Sequence, residues 1–379
     1  MNIGFSRGTA ASTRGCPPWA CGDHGTVSGA ATCNDQAQQL HDRGHGGSYL
    51  PERGFGGYDG PARVVQRWPV RLTCRPPGHD ESRALAAAGR AMRVHHLNCI
   101  STCPLGGRLM DGRSKEILGR GHLSCHCLLV ETPRCLVLVD TGLGLRDVAH
   151  PHARLSRFFL ALLRPEFREQ MTAVRQIQRL GFQPADVRHI LLSHLDFDHA
   201  GGLDDFPHAT VHLLARERAH AARQRTWLDR QRFRPQQWST RARWRTYPGA
   251  QGEPWMGFDC VRGLDGLPPE LLLVPLPGHT HGHTGIAVDT GAGWKLLAAD
   301  AYFHAGELDA SPHCPPGLRA YQWMMELDRD ARLRNQQRLR DLARTAQGID
   351  IFCSHDVAEF ERLSGRSARV PAAGFAMPD

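Results

Sequence analysis

The stretch SHLDFDHAGG, residues 193–202, carries His194, Asp196, Asp198 and His199 between the apolar run HILL (189–192) and the pair Gly201 and Gly202. Imidazole nitrogens and carboxylate oxygens are donors for zinc and other divalent cations. Four such groups left unpaired against a core would be costly to bury, and bound cations would satisfy them. The competing reading is a surface turn with an Asp helix cap. Three later stretches weigh against that turn. His279 follows a Pro-Gly turn in PLPGHTHGHTG (275–285), Asp300 ends the run LLAAD within LLAADAYFH (296–304), and His355 closes IFCSHD (351–356). A lone histidine at a strand end is usually satisfied by its own fold; four strand ends presenting metal donors point to one shared site. His281 and His283 lie in the same loop as His279 and read as exposed loop histidines.

The elements that must position these groups follow from hydrophobic periodicity. RVHHLN (93–98), HLSCHCLLVE (122–131) and CLVLVDTG (135–142) read as strands, the last ending in a turn. Met171, Val174, Ile177 and Leu180 share a helical face that Gly181 stops. RHILLSH (188–194), ATVHLL (209–214), ELLLVPL (270–276), GIAVDT (285–290), KLLAAD (295–300) and IDIFCSH (349–355) are further strands, with a helix expected over 334–346. Strands dominate and helices are inserted among them. That order suits two sheets with helices outside better than a doubly wound parallel sheet.

Residues 1–91 differ from the rest. They are dense in Gly, Pro, Ser, Thr and Arg and show no sustained period, so they read as a disordered extension, or as the product of a start assigned upstream of Met92. Residues 92–379 read as the folded domain. No apolar run approaches the ~20 residues of a membrane span. The first 25 residues lack the apolar stretch of a secretory signal. A cytoplasmic location and mostly reduced thiols are therefore expected, Cys99 and Cys103 among them. The net charge of +8 is almost all arginine, since only Lys115 and Lys295 are lysines. Ten arginines face only Glu217 and Asp229 between Arg216 and Arg245. This block reads either as a phosphate-binding face or as a solvated insertion. Trp227, Phe233, Trp238 and Trp255 in and after it are candidates for an apolar wall over a pocket.

The order and spacing of these motifs, together with VDTG (139–142), resemble the metallo-β-lactamase fold superfamily, whose pattern is H-x-H-x-D-H, a His in a PGHT-like turn, an Asp and a C-terminal His. Within it the pattern is similar to N-acyl homoserine lactonases and glyoxalase II-type thioesterases. The resemblance covers Met92 to Asp356. It implies an α/β fold, an αββα four-layer sandwich in which two mixed β-sheets pack face to face with helices outside. It also implies two divalent metal ions, zinc first and manganese or iron as alternatives. One ion would be held by His194, Asp196 and His279, the other by Asp198, His199 and His355, with Asp300 bridging and Asp140 as a structural carboxylate beside them. A metal-bound hydroxide would cleave a small ester, lactone or thioester, with Asp198 orienting it and Tyr302, two residues after Asp300, contacting the substrate carbonyl. The expected partner is a small molecule rather than nucleic acid or a membrane, and the family leaves room for a homodimer. A phosphodiesterase or nuclease of the same fold, using the arginine block, and a non-catalytic ligand-binding relative are the alternatives.

The departure from the pattern is Asp196, where the family has a second histidine. A carboxylate can ligate zinc. It also makes the first site richer in oxygen and nearer neutrality, which favours harder ions. Otherwise Asp196 points away and a single ion binds well.

Overall fold

A computed structural model describes residues 92–238 and 243–369; the expected extension over 1–91 lies outside them. The first sheet runs β1 (Arg93–Asn98), β2 (His126–Glu131), β3 (Leu136–Val139), β4 (Val187–Leu191), β5 (Thr210–Leu214) and β6 (Arg243–Tyr247) in spatial order. The second comprises β7 (Glu253–Trp255), β8 (Phe258–Gly263), β9 (Leu271–Pro275), β10 (Thr284–Asp289), β11 (Trp294–Ala299) and β12 (Ile349–Cys353), likewise in order. Both sheets are mixed. β1 to β3 pair antiparallel and β3 to β6 parallel. In the second sheet only β11 and β12 are parallel.

Strand alternation builds the layers. On β3, Val137 and Val139 point into the space between the sheets, where they join Leu273, Ile286, Val288 and Leu297. Leu136 and Leu138 point the other way, onto Val174 and Ile177 of the helix Ala173–Arg179. On β11, Leu297 faces the other sheet, while Leu296 and Ala298 meet Leu339 and Leu342 of the helix Arg329–Thr345. The result is helix, sheet, sheet, helix, the four-layer order expected. The helix over 334–346 starts earlier than its apolar period, because Asp328 caps it by accepting from the Ala331 amide.

Several elements carry no strong sequence signal. β6 and β7 are largely exposed and polar on their outer faces, so they lack clean alternation. Among the described residues, no helix is long and apolar enough to cross a membrane. Cys99 and Cys103 are free thiols.

Candidate metal centre

The parallel pairs β3/β4 and β11/β12 bring four strand ends to one rim of the sandwich, the edge where α/β sheets place their ligands. Asp140 follows β3 in a left-handed conformation (φ 53°), which a non-glycine residue holds only when its surroundings demand it. Here the demand is explicit: its carboxylate accepts from the Ser193 amide (2.8 Å), the Ser193 hydroxyl (2.6 Å) and His199 Nδ1 (2.8 Å). His194 leaves β4. Asp196 precedes the short helix Phe197–Ala200, which carries Asp198 and His199. Gly201 ends that turn because a Cβ there would lie 2.3 Å from Asp147 Oδ2. In the PGHT turn, Gly278 (φ 145°) lies so close to the backbone of Arg332 that a Cβ would sit 2.5 Å from it.

Two groups of donors result, each with its ligand atoms within 4.8 Å of one another: His194, His279 and Asp300, and Asp198, His199 and His355. Asp300 faces both. Its Oδ1 is 3.3 Å from His199 Nε2, and its Oδ2 is 3.3 Å from His279 Nε2 and 3.2 Å from His355 Nε2. The outward nitrogens set the tautomers. His355 Nδ1 donates to the Ser124 carbonyl (2.9 Å) and His199 Nδ1 to Asp140. The Ser193 hydroxyl, which donates to Asp140, accepts from His194 Nδ1 (2.9 Å). All three rings therefore turn Nε2 toward the shared space. His194 Nε2, His199 Nε2 and Asp300 Oδ1 are buried with no aligned hydrogen-bond partner among the described residues. Unsatisfied nitrogen and carboxylate donors that converge in this way fit a divalent cation.

Asp196 stands beside the first group, and Arg232 holds it. The guanidinium is fully buried and bidentate: Nε donates to Oδ1 (2.7 Å) and Nη2 to Oδ2 (2.6 Å). Nη1 donates to the Met325 carbonyl. Nη2 also lies 2.8 Å from His279 Nε2, and Asp196 Oδ2 lies 3.0 Å from that nitrogen. Burial pushes the Asp196 carboxyl up, but Arg232 and then His194 outweigh it and hold the group well below the usual carboxylate range.

A family model described as the metallo-beta-lactamase superfamily matches residues 120–336. The chain belongs to the metallo-β-lactamase superfamily. A probable metallo-hydrolase of Mycobacterium tuberculosis, Rv2300c, is 40% identical over 271 residues, covering 71% of this chain and 82% of that protein. The N-acyl homoserine lactonase AiiA of Bacillus thuringiensis subsp. kurstaki is 25% identical over 274 residues, 72% of this chain and 92% of that one. A solved N-acyl homoserine lactone hydrolase with N-hexanoyl-L-homoserine at its catalytic metal centre shares the fold, with a TM-score of 0.55, 22% identity, and coverage of 72% and 96%. The chain is thus a metallo-hydrolase of this superfamily.

Not every residue singled out in this superfamily member's sequence reaches the rim. Tyr302 is turned away: it is buried beneath the second sheet and its hydroxyl donates to Glu359 Oε1 (2.9 Å). It does not face the donors because a tight turn follows β11, with the Ala301 amide bonded to the Ala298 carbonyl, so strand alternation cannot be carried past Asp300. Phe303 takes the place beside the donors, its ring 5.7 Å from His279 and 5.0 Å from His355. Tyr321, from the helix Pro316–Met325, packs on Phe303 at 5.8 Å. Burial, then Asp198, Asp196 and Asp300, hold its phenol proton well above the ordinary range, so it stays a donor.

His283 is not an exposed loop histidine. It is fully buried, donates from Nδ1 to the Leu276 carbonyl (2.9 Å) and accepts the Asp300 amide at Nε2 (3.0 Å). Nor do the aromatics of the insertion form one wall. Phe233 and Trp238 are buried in the core beneath the first sheet, Trp227 is exposed against Phe158, and Trp255 packs on Trp294. In the arginine block, Arg232 is an interior ion pair, Arg218 lies over Trp244, and Arg234 donates to the Arg154 carbonyl. Glu217, counted in the sequence only as one of the block's two acids, is buried against the donor loops.

Proposed function

We propose that the chain hydrolyses a small ester or lactone, with thioesters as the related substrates, using up to two divalent ions of which zinc is the first choice. The observation that carries this reading is Asp300 standing between two donor groups in which His194, His199 and His355 each anchor Nδ1 and turn Nε2 inward. Divalent ions there would polarise the scissile carbonyl and lower the pKa of a water molecule. His194, His199 and His279 with Asp300 and Asp198 would hold those ions, and His355 would complete the second group. Asp198 is the buried carboxylate best placed to accept a proton as water attacks. Its own proton affinity is raised, first by burial, although His199 and His355 oppose this.

A cavity of about 120 Å³ opens beside His355, lined by the apolar Leu123, Phe303 and Leu318 and by the polar Asp111, Arg113, His122 and Asp356. Its apolar part would suit a short acyl group. His122 offers a polar contact there: it is buried, both its ring nitrogens lack partners among the described residues, and burial holds it neutral. Tyr321, packed on Phe303, would supply a phenolic donor.

The test is a panel of lactones, carboxylic esters, thioesters, phosphodiesters and cephalosporins, offered to protein reconstituted with zinc, manganese or iron. Turnover of lactones or esters at least about a hundredfold above the metal-free protein is expected. Activity restricted to phosphodiesters would replace this reading with the nuclease one.

A further inference from the structure

The donor atoms at the rim differ in their partners, and His355 Nε2 meets another donor, Asp300 Oδ2, at 3.2 Å. His194 Nε2, His199 Nε2 and Asp300 Oδ1 have no aligned partner. His279 Nε2 and Asp196 Oδ2 already share one, Arg232 Nη2, at 2.8 and 2.6 Å. A guanidinium cannot be deprotonated in a protein, so this positive charge does not leave with pH. Nor is it free to swing aside: Nε is tied to Asp196 Oδ1 and Nη1 to the Met325 carbonyl, and the side chain is fully buried. A divalent ion entering the His194–His279 group would meet a fixed charge of the same sign within hydrogen-bonding reach of one of its own ligands. Among the described residues, no arginine pairs with Asp198, and His199 and His355 face carboxylates instead.

We propose that Arg232, locked on Asp196, acts as a built-in cation in the first donor group, so that the chain binds one divalent ion firmly in the Asp198–His199–His355 group and a second, at His194 and His279, far more weakly. This rests on the metal-dependent reading above and refines it. Asp196 and Arg232 are the two residues that make the difference: the pair carries no net charge, as the family's neutral imidazole does, but it brings a cation where the imidazole brings a lone pair.

The experiment is a zinc titration of the full chain, stripped with a chelator and followed by equilibrium dialysis with elemental analysis. It is run on the wild type and on the double variant Asp196→His, Arg232→Met. The double variant leaves no stranded carboxylate and restores a histidine, and its circular dichroism melt confirms that it folds. One tight equivalent is expected for the wild type, with a second at least about a hundredfold weaker, and two equivalents of similar affinity for the double variant. Two equally tight equivalents in the wild type, or a gap that survives in the double variant, overturns the role of Arg232 and leaves the hydrolase reading standing. No zinc bound by either protein overturns both.

Discussion

Asp140 does the positioning work for two of the histidines, directly for His199 and through the Ser193 hydroxyl for His194. It belongs to neither donor group. An asparagine would tolerate the left-handed backbone, but its amide NH2 would face a donor, so either His199 flips its tautomer or the contact is lost. Asp140→Asn is therefore expected to fold and to bind zinc roughly ten- to a hundredfold more weakly. Equilibrium dialysis beside a circular dichroism spectrum measures this, and an unchanged affinity would remove Asp140 from the positioning role. The same residue-by-residue logic separates Tyr302 from Tyr321. The former is committed to Glu359, whereas the latter feels the carboxylates of the rim.

At the scale of elements, the site depends on loops from different strands being clamped to one another. Glu217, on the helix Ala215–Arg223 after β5, is the clamp. Its Oε1 accepts the Leu195 amide (3.0 Å), and its Oε2 accepts the Thr280 hydroxyl (2.6 Å) and the Gly282 amide (3.1 Å). One buried carboxylate thus joins the 193–202 loop to the PGHT turn. Burial raises its carboxyl to about 7 against the pull of these donors. Arg154 braces the other side of the first loop, donating to Asp147 (2.9 Å), Asp204 (2.9 Å) and the Gly201 carbonyl (3.2 Å). Removing the clamp strands three buried donors. Glu217→Ala should lower stability by about 2–4 kcal/mol in urea unfolding and weaken zinc binding with it. A loss below ~0.5 kcal/mol would show that the loops hold themselves.

At the scale of the whole molecule, the two sheets meet over an apolar core that also encloses histidines. His96 on β1 and His126 on β2 are hydrogen bonded (2.8 Å) and pack on Phe352 of β12. Burial, then Lys295 and Arg366, lowers His96 to about 4. Its folded pKa lies below the unfolded value, so the native state excludes this proton. The stability it contributes is complete above about pH 6.5 and is lost as pH falls toward 4. Comparing wild type with His96→Leu isolates the effect from acids that titrate in the opposite sense. The variant should gain on the wild type by up to about 3 kcal/mol between pH 6.5 and 4. A pH-independent difference would mean that His96 is charged in the fold.

Local pattern was enough for much of this protein. Continuous apolar runs such as LVLV on β3 and IAV on β10 specify strands buried on both faces, because alternate side chains must each find an apolar layer. Donor residues placed immediately after such runs must lie at a sheet rim, which made His194, His279, Asp300 and His355 legible as a set. Residues whose roles depend on a partner far along the chain were not legible. Arg232 lies 36 positions from Asp196, and Glu217 lies 63 from Thr280. In the sequence the first is one arginine in a basic block and the second one of its two acids. Only folding decides which of ten similar side chains is buried against a carboxylate, because the cost of burying a charge is set by the partner that tertiary packing supplies. The turn after β11 decided Tyr302 in the same way, since a periodicity argument ends where the strand does.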